Sequence, residues 1–169
     1  MKRREFVVSG LALGPGLALA APAKVSSLAD VRMWLDQLEK APDAKTTGAW
    51  PLVAVLEHLA QSIEMSLDGF PQPKSAAFQH TVGAAAFTVF QWRGKMSHGL
   101  DEPIPGAPAL TTQGDWKLSA IRLRAAVNRF EAHTGPLKPH FAYGALSKPE
   151  FTQAHVFHIA NHQDAIVLT

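Results

Sequence analysis

The sequence contains no cysteine, and this absence excludes several kinds of chemistry at once. Its 169 residues offer no thiolate nucleophile, no CxxC redox pair and no cysteine ligand for zinc. Any bound metal must therefore be held by histidine, aspartate or glutamate. The sequence also lacks a glycine-rich phosphate loop, a Gly-x-Ser-x-Gly elbow and a Walker pattern, so nucleotide chemistry has no support. With 47% hydrophobic residues, one domain with a packed core is expected.

Residues 1–23 have the composition of an export signal. A basic start is followed by an apolar stretch of small residues, leucine and valine, and by two Ala-x-Ala sequences. The adjacent Arg3 and Arg4, followed one residue later by a bulky apolar pair, resemble the twin-arginine signal, which exports folded proteins. We therefore predict an exported protein, located in the periplasm or elsewhere outside the cytoplasm.

Cleavage is expected after Ala20 or Ala23, which leaves a mature domain over residues 24–169. An uncleaved membrane anchor is the alternative, but glycine and proline at 14–16 interrupt an apolar stretch already shorter than the ~20 residues that span a bilayer. We therefore expect no stable membrane insertion after cleavage.

The basic character of the whole chain comes mostly from this leader. Its removal takes away three of the 16 basic residues and one of the 14 acidic residues, so the mature chain has no formal net charge. No run of lysine or arginine remains to bind nucleic acid, which is therefore not an expected partner.

Helical periodicity dominates the mature chain. Apolar residues recur at helical spacing, and the Ser-x-x-Glu spacing from Ser147 to Glu150 marks a capping box at the start of the last helix. We predict helices over 27–40, 51–68, 75–93 and 115–133, and a last helix from Ser147 onward. The expected fold is all-α, a four-helix bundle with a short extra helix that leads it or crosses it.

Three finer predictions concern the helix surroundings. Thr46 and Thr47 are expected to cap the second helix. The third helix is apolar nearly all round, which suggests that neighbours cover several of its faces, and a homodimer through it is an open alternative. The segment 99–114 is rich in proline and glycine and predicts an ordered surface loop that shapes a pocket.

Three of the eight histidines fall between positions 155 and 162 of the last predicted helix. His158 and His162 are four residues apart, which places them about 40° apart around the helix axis and roughly 6 Å apart along it. Both rings can therefore reach one metal ion. His155 and His158, three residues apart, are a second possible pair, and histidines bonded to carbonyl groups are the non-metal alternative.

His58 offers a third ligand from another helix. It lies beside the apolar stripe of the second helix, so it is expected to point toward the interior, where an unpartnered imidazole is costly. A site of His58, His158 and His162 would leave coordination positions open for water or substrate. Zinc or nickel is favoured, with iron or manganese as alternatives. Glu57 and Gln61 flank His58 as candidate outer-sphere or acid/base groups.

An ordered set of motifs resembles the DinB/YfiT-like metalloenzyme superfamily, and most closely its exported branch, called domain of unknown function 1569. The resemblance is carried by Trp50-Pro-Leu-Val-Ala-Val-Leu-Glu-His58, by Gly-Phe-Pro at 69–71, by Pro-His-Phe-Ala-Tyr-Gly at 139–144 and by His158-x3-His162. It implies a four-helix bundle with metal ligands at these three histidines. In the wider superfamily it also implies transferases and isomerases that use small thiols.

The chain departs from that branch at the end of the last helix. Relatives often have a second histidine directly before the final ligand and an Arg-Gln pair soon after it, whereas this chain has Asn161, Asp164 and Ala165. The functional expectation is a metal-dependent hydrolase or thiol transferase with a small-molecule substrate. The alternative is a non-catalytic bundle that binds a metal or a small ligand outside the cytoplasm.

The remaining histidines are expected to be solvated or locally hydrogen-bonded rather than ligands, namely His80, His98, His133 and His140. His140 is a partial exception, because its connector leads into the metal helix and could line the pocket with Phe141 and Tyr143. The four tryptophans are expected mainly as plugs of the core.

Overall fold

The computed structural model describes residues 23–168, so the predicted leader, except Ala23, lies outside the described residues. Five helices form the fold, and the all-α prediction is confirmed. They are α1 (Leu28–Glu39), α2 (Leu52–Asp68), α3 (Ala76–Phe78, a π-helical turn Gln79–Gly83 and Ala84–Arg93 in one continuous run), α4 (Trp116–Ala132) and α5 (Lys148–Gln163). Two short strands, β1 (Lys45–Thr46) and β2 (Ile166–Val167), pair antiparallel.

The hydrophobic core lies between four of these helices. Helix α2 packs against α4 and α5, and α1 packs against the same two helices. The largest fully buried side chains are Trp34 of α1, Phe130 of α4 and Phe151 of α5. No helix within residues 23–168 is long and apolar enough to cross a membrane. The exact four-helix-bundle arrangement stays a prediction.

Helix starts follow the local sequence closely. Ser27 caps α1 by accepting a hydrogen bond from Asp30 N, and the Asp115 carboxylate does the same for Lys117 N in α4. The predicted capping box of α5 is present in both directions: the Ser147 hydroxyl accepts from Glu150 N, and the Glu150 carboxylate accepts from Ser147 N. Each contact satisfies a backbone amide that has no partner within its helix.

The predicted threonine cap of α2 is wrong. The residue at the cap position is Pro51, which makes no side-chain cap bond. Thr46 lies in β1 and its hydroxyl donates to Trp50 O at 2.5 Å, while Thr47 N donates to Ala165 O at 2.8 Å. Thr46 therefore pairs with β2 and Thr47 binds the residue before β2, so neither threonine caps α2.

The predicted covering of α3 on several faces is also wrong. Only Gly83 and Phe87 are buried in this helix, whereas Val82 is 59% and Val89 45% exposed. Trp92, expected in the core, is 84% exposed. The reason is that α3 packs on the connector between α4 and α5, and not among the other helices. The homodimer through this face stays a prediction.

The π-helical turn of α3 holds that connector, which joins α4 to α5. A Cβ atom at Gly83 would lie 1.9 Å from Ala142 O, so only glycine allows this approach. Four residues earlier in the same turn, the Gln79 side-chain amide donates to His140 O at 3.3 Å and to Phe141 O at 3.1 Å. The turn thereby fixes the segment that carries His140 into the site.

Candidate metal centre

The three predicted ligand histidines come together between α2 and α5. His58 projects from α2, and His158 and His162 project from consecutive turns of α5. One ring nitrogen of each lies within 4.8 Å of the other two, and Nε2 of His58 is 3.0 Å from Nε2 of His158. The spacing argument from the sequence thus describes a real cluster, whose occupation by metal stays a proposal.

The nitrogen atoms of this cluster fit a divalent ion. Nitrogens about 2.1 Å from one ion lie roughly 3.0 to 3.4 Å apart at tetrahedral or near-octahedral angles, which matches the separation of His58 and His158. His162 Nε2 is buried without any hydrogen-bond partner, and so is Nδ1 of His58. Because an unpartnered buried polar atom is costly, the orphaned His162 nitrogen is the feature that a metal ion would satisfy.

Neighbouring groups orient the rings. The Ser62 hydroxyl lies 3.2 Å from Nδ1 of His158, so this nitrogen is bonded outside the cluster and Nε2 faces inward. Trp50 packs edge-on against the His58 ring with centroids 5.1 Å apart. A partner on the outer ring nitrogen fixes the tautomer and direction of a ligating imidazole, and Ser62 supplies it for His158.

Burial keeps the three histidines neutral. Loss of solvation lowers the pKa of His58 to about 4 and that of His162 to about 3, and it lowers the pKa of His158 well below its ordinary value. Repulsion between the neighbouring imidazoles acts in the same direction. A neutral imidazole has the free lone pair that a metal needs, so the site does not have to release protons near neutral pH.

A cavity of about 360 Å³ opens beside the cluster. His58 and His158 form part of its wall, whereas His162 is 1% exposed and lies behind it. The predicted loop 99–114 contributes to the cavity, which confirms its role in shaping the pocket. The other lining residues include aromatic and aliphatic side chains from α3, the segment that follows it, this loop and the connector, namely Ala86, Phe90, Met96, Pro103, Ile104, Pro105, Phe141 and Tyr143.

His98 is a site residue that the sequence reasoning missed. Its ring centroid lies 4.9 Å from that of His158 and 5.3 Å from that of His162, and it lines the cavity. Its Nδ1 bonds to Gly99 O at 2.6 Å, and Asn161 donates to His98 O at 3.3 Å. His98 follows α3 in an irregular segment, so no periodicity or spacing could have linked it to α5. The contact from Asn161 therefore ties the segment that carries His98 to α5.

The predicted roles of Glu57 and Gln61 are not supported by their contacts. The Glu57 carboxylate accepts from Thr111 N at 2.7 Å, and the Gln61 amide donates to Pro108 O at 3.1 Å. Both side chains therefore attach α2 to the 99–114 loop, and neither lines the cavity. Glu57 and Gln61 are close to His58 in sequence, but their side chains contact the loop and not the cluster.

His155 and His140 lie in the cavity wall and do not belong to the three-histidine cluster. His155 Nε2 is 3.2 Å from Ser66 Oγ, and the histidines whose nitrogens converge are His58, His158 and His162 rather than a His155/His158 pair. His140 is buried against Phe70, Phe141 and Tyr143, and the expectation that it lines the pocket is confirmed. The tertiary structure therefore brings both histidines to the wall of the same cavity.

Comparison with known protein families identifies the family of this chain. The family described as "Protein of unknown function (DUF1569)" matches residues 23–169. The chain belongs to this family. Searches of curated proteins and of solved structures found no match. The family description names no activity, so the function has to be argued from the site.

Proposed function

We propose that this chain is an exported, divalent-metal-dependent enzyme that acts on a small molecule in the cavity beside His58 and His158. The ligands are His58, His158 and His162, and zinc or nickel is the favoured ion. The observation that carries the proposal is the buried cluster itself. It holds three neutral imidazoles, and two of them, His58 and His162, have a buried nitrogen without any partner.

The residues around the cluster would have two roles in a catalytic site: one orients a ligand histidine, and others form the wall of the substrate cavity. Ser62 directs His158, and aromatic and aliphatic side chains form about half of the cavity wall against which a substrate would pack. When bound, a divalent ion supplies Lewis acidity, which lowers the pKa of a water or thiol ligand and polarises a carbonyl group. Since two of its ligands line the cavity, a substrate there would meet the ion directly.

The reaction class is a hydrolysis or a thiol transfer. The resemblance to DinB/YfiT-like enzymes supports thiol chemistry, and a cysteine-free chain would have to take its thiol from the substrate. Export is supported by the leader-like composition of residues 1–23 and by a family match that begins at residue 23.

A non-catalytic metal or ligand binder is the second candidate. Among residues 23–168, Glu102 is the only carboxylate lining the cavity, and it is exposed. The wall thus holds no buried carboxylate for proton transfer, which favours binding without turnover.

The first experiment measures bound metal by mass spectrometry in the untagged protein and in His58→Ala, His158→Ala and His162→Ala variants. We expect about one ion per chain in the parent protein and a loss of at least tenfold in each variant. His133→Ala, at a partly exposed histidine outside the cavity, is the matched control and should keep the ion. No ion, even after refilling with zinc or nickel, would overturn the metal site.

A second experiment separates the two candidates. The metal-loaded protein is mixed with 2-mercaptoethanol and 1-chloro-2,4-dinitrobenzene, and with ester substrates, while product formation is followed by absorbance. Turnover that disappears with the ligand variants supports an enzyme. Full metal content without turnover of thiol or ester favours the non-catalytic binder.

A further inference from the structure

The cavity contains two histidines whose tautomers are fixed by the protein. Nδ1 of His140 accepts hydrogen bonds from Ala142 N at 3.1 Å and from Tyr143 N at 3.2 Å. A nitrogen that accepts two amide hydrogens carries no hydrogen of its own. The hydrogen of the neutral His140 ring is therefore on Nε2, which is a donor.

In His155, by contrast, the ring nitrogen without a partner is a hydrogen-bond acceptor. The Ser66 hydroxyl donates to Ile63 O at 2.6 Å, so its single hydrogen is used and its oxygen must accept from His155 Nε2. This places the ring hydrogen of His155 on Nε2 and leaves a lone pair on Nδ1. Burial lowers the pKa of both His140 and His155 to about 3, which agrees with neutral rings.

The two free atoms, Nε2 of His140 and Nδ1 of His155, face the cavity space. Neither makes a hydrogen bond, and neither is among the fully buried unpartnered side-chain atoms found within residues 23–168. Both residues line the cavity and are almost entirely buried, with exposures of 8% and 2%. Each of the two nitrogens therefore has some exposed surface. Because both residues are otherwise buried and line the cavity, that exposed surface faces the cavity.

We propose that His140 and His155 form a second subsite, which binds a substrate group that accepts and donates a hydrogen bond at once, such as a carboxamide. The carbonyl oxygen accepts a hydrogen bond from Nε2 of His140, and the amide N–H donates one to Nδ1 of His155. This subsite deepens the proposed function and rests on it, since it takes the same cavity as the substrate site. Its own contacts do not involve the metal ligands.

The aromatic wall around this pair accommodates the rest of such a substrate. The Tyr143 ring stacks on His140 with centroids 4.2 Å apart, and Phe90 and Phe141 line the same cavity. An apolar or aromatic body attached to an amide would fill this space. Aromatic surfaces with a few fixed polar groups are the usual composition of a small-molecule site.

The test uses simple aromatic probes and a reporter inside the cavity. Met96 lines the cavity, whereas Met33 is 55% exposed on α1, so ¹³C-methyl methionine signals give a cavity reporter and an internal control. Benzamide accepts and donates, acetophenone only accepts, and ethylbenzene does neither. Each compound is titrated against the purified chain by NMR, before and after removal of metal with a chelator.

We expect benzamide to bind about five to ten times more tightly than acetophenone, because acetophenone leaves the His155 acceptor unpaired. Ethylbenzene should bind more weakly still. His155→Phe keeps the ring shape beside Phe130 and Phe151 and removes the acceptor, so it should abolish the preference for benzamide. His80→Phe, at an exposed position on α3, is the matched control and should leave the preference unchanged.

Several outcomes would overturn the subsite. Equal affinities for benzamide and acetophenone would do so, and so would an absence of any Met96 shift with all three compounds. If His155→Phe fails to fold, long-range ¹H–¹⁵N correlation spectra of the parent protein decide instead, since a hydrogen on Nδ1 of either histidine contradicts the proposal. A benzamide preference that survives chelation, in a protein without turnover, would leave the subsite standing while the proposed catalysis fails.

Discussion

Two groups of buried histidines share one cavity and differ in how their nitrogens are satisfied. In the cluster of His58, His158 and His162, two ring nitrogens are buried without partners, and two others face each other at 3.0 Å. In the pair of His140 and His155, the protein binds one nitrogen of each ring and leaves the other open to the cavity. Burial is nearly the same in both groups.

The comparison shows that burial alone does not assign a role to a histidine. Lone pairs that converge on one point and lack donors suit a metal ion, because nothing in the protein can satisfy them together. A ring with a fixed tautomer offers one defined donor or acceptor to a ligand. The two groups therefore differ in which ring nitrogens have a hydrogen-bond partner in the protein. Substitutions can disturb the cluster and the pair separately.

The largest effect is expected from Gly83→Ala, which acts on the pair and not on the cluster. The new methyl group would meet Ala142 O at 1.9 Å, so the connector that carries His140 must shift. We expect the free energy of unfolding to fall by about 3 kcal/mol, although alanine favours a helix over glycine. Urea denaturation measures this loss.

The control for this variant is Gly48→Ala, where no atom lies within 4 Å of the added methyl group. Its effect should be within about 0.5 kcal/mol. Equal stability of the two variants would mean that the connector does not depend on close packing against α3. Metal content per folded chain should be retained in both variants.

A smaller effect is expected from Ser62→Ala, which acts on the cluster and not on the pair. Without the hydroxyl, Nδ1 of His158 has no partner to fix its tautomer. Loss of such an outer-sphere bond lowers metal affinity about ten- to a hundredfold. The affinity is measured by competition with a chromophoric chelator.

Ser66→Ala is the matched control, because Ser66 is an equally buried serine on the same helix and contacts His155 instead. It should leave metal affinity unchanged. A similar loss in both serine variants would contradict the separation between the two groups.

The smallest effect is a change in how stability depends on pH. The folded-state pKa of His155 is lowered to about 3 by burial, while an unfolded chain has a histidine pKa near 6.5. Between these values the unfolded state binds the extra proton, so the stability due to the neutral ring is present above pH 6.5 and is lost as the pH falls toward 3. The parent protein should therefore lose stability steadily below pH 6.5.

His155→Phe removes one such group, so its loss of stability on acidification should be shallower by up to about 1.4 kcal/mol per pH unit. Urea unfolding at pH 7, 6 and 5 measures the slope. His80→Phe, at an exposed position, should keep the slope of the parent protein. Parallel curves for His155→Phe and the parent protein would show that His155 is not held neutral by the fold.

Much of the site could be predicted from the sequence because its strongest signal is local. Because His158 and His162 are four positions apart, both rings lie on one side of α5, whatever the rest of the chain does. The apolar stripe beside His58 correctly predicted that this residue points inward. Glu57 and Gln61 were misjudged, because their orientation depends on where the 99–114 loop passes, and spacing along α2 does not determine that.

Local sequence determined the all-α fold, the helix starts at Ser27, Asp115 and Ser147, and the shared face of His158 and His162, because capping and helical periodicity act within one or two turns. The approach of His58 to that face joins helices 100 residues apart, so it depended on the tertiary structure. Only the tertiary structure decided the place of His98, the exposure of α3 and the tautomers of His140 and His155. Each of these depends on contacts between segments distant in the chain. Such contacts follow from how whole elements pack, and no short-range pattern encodes them.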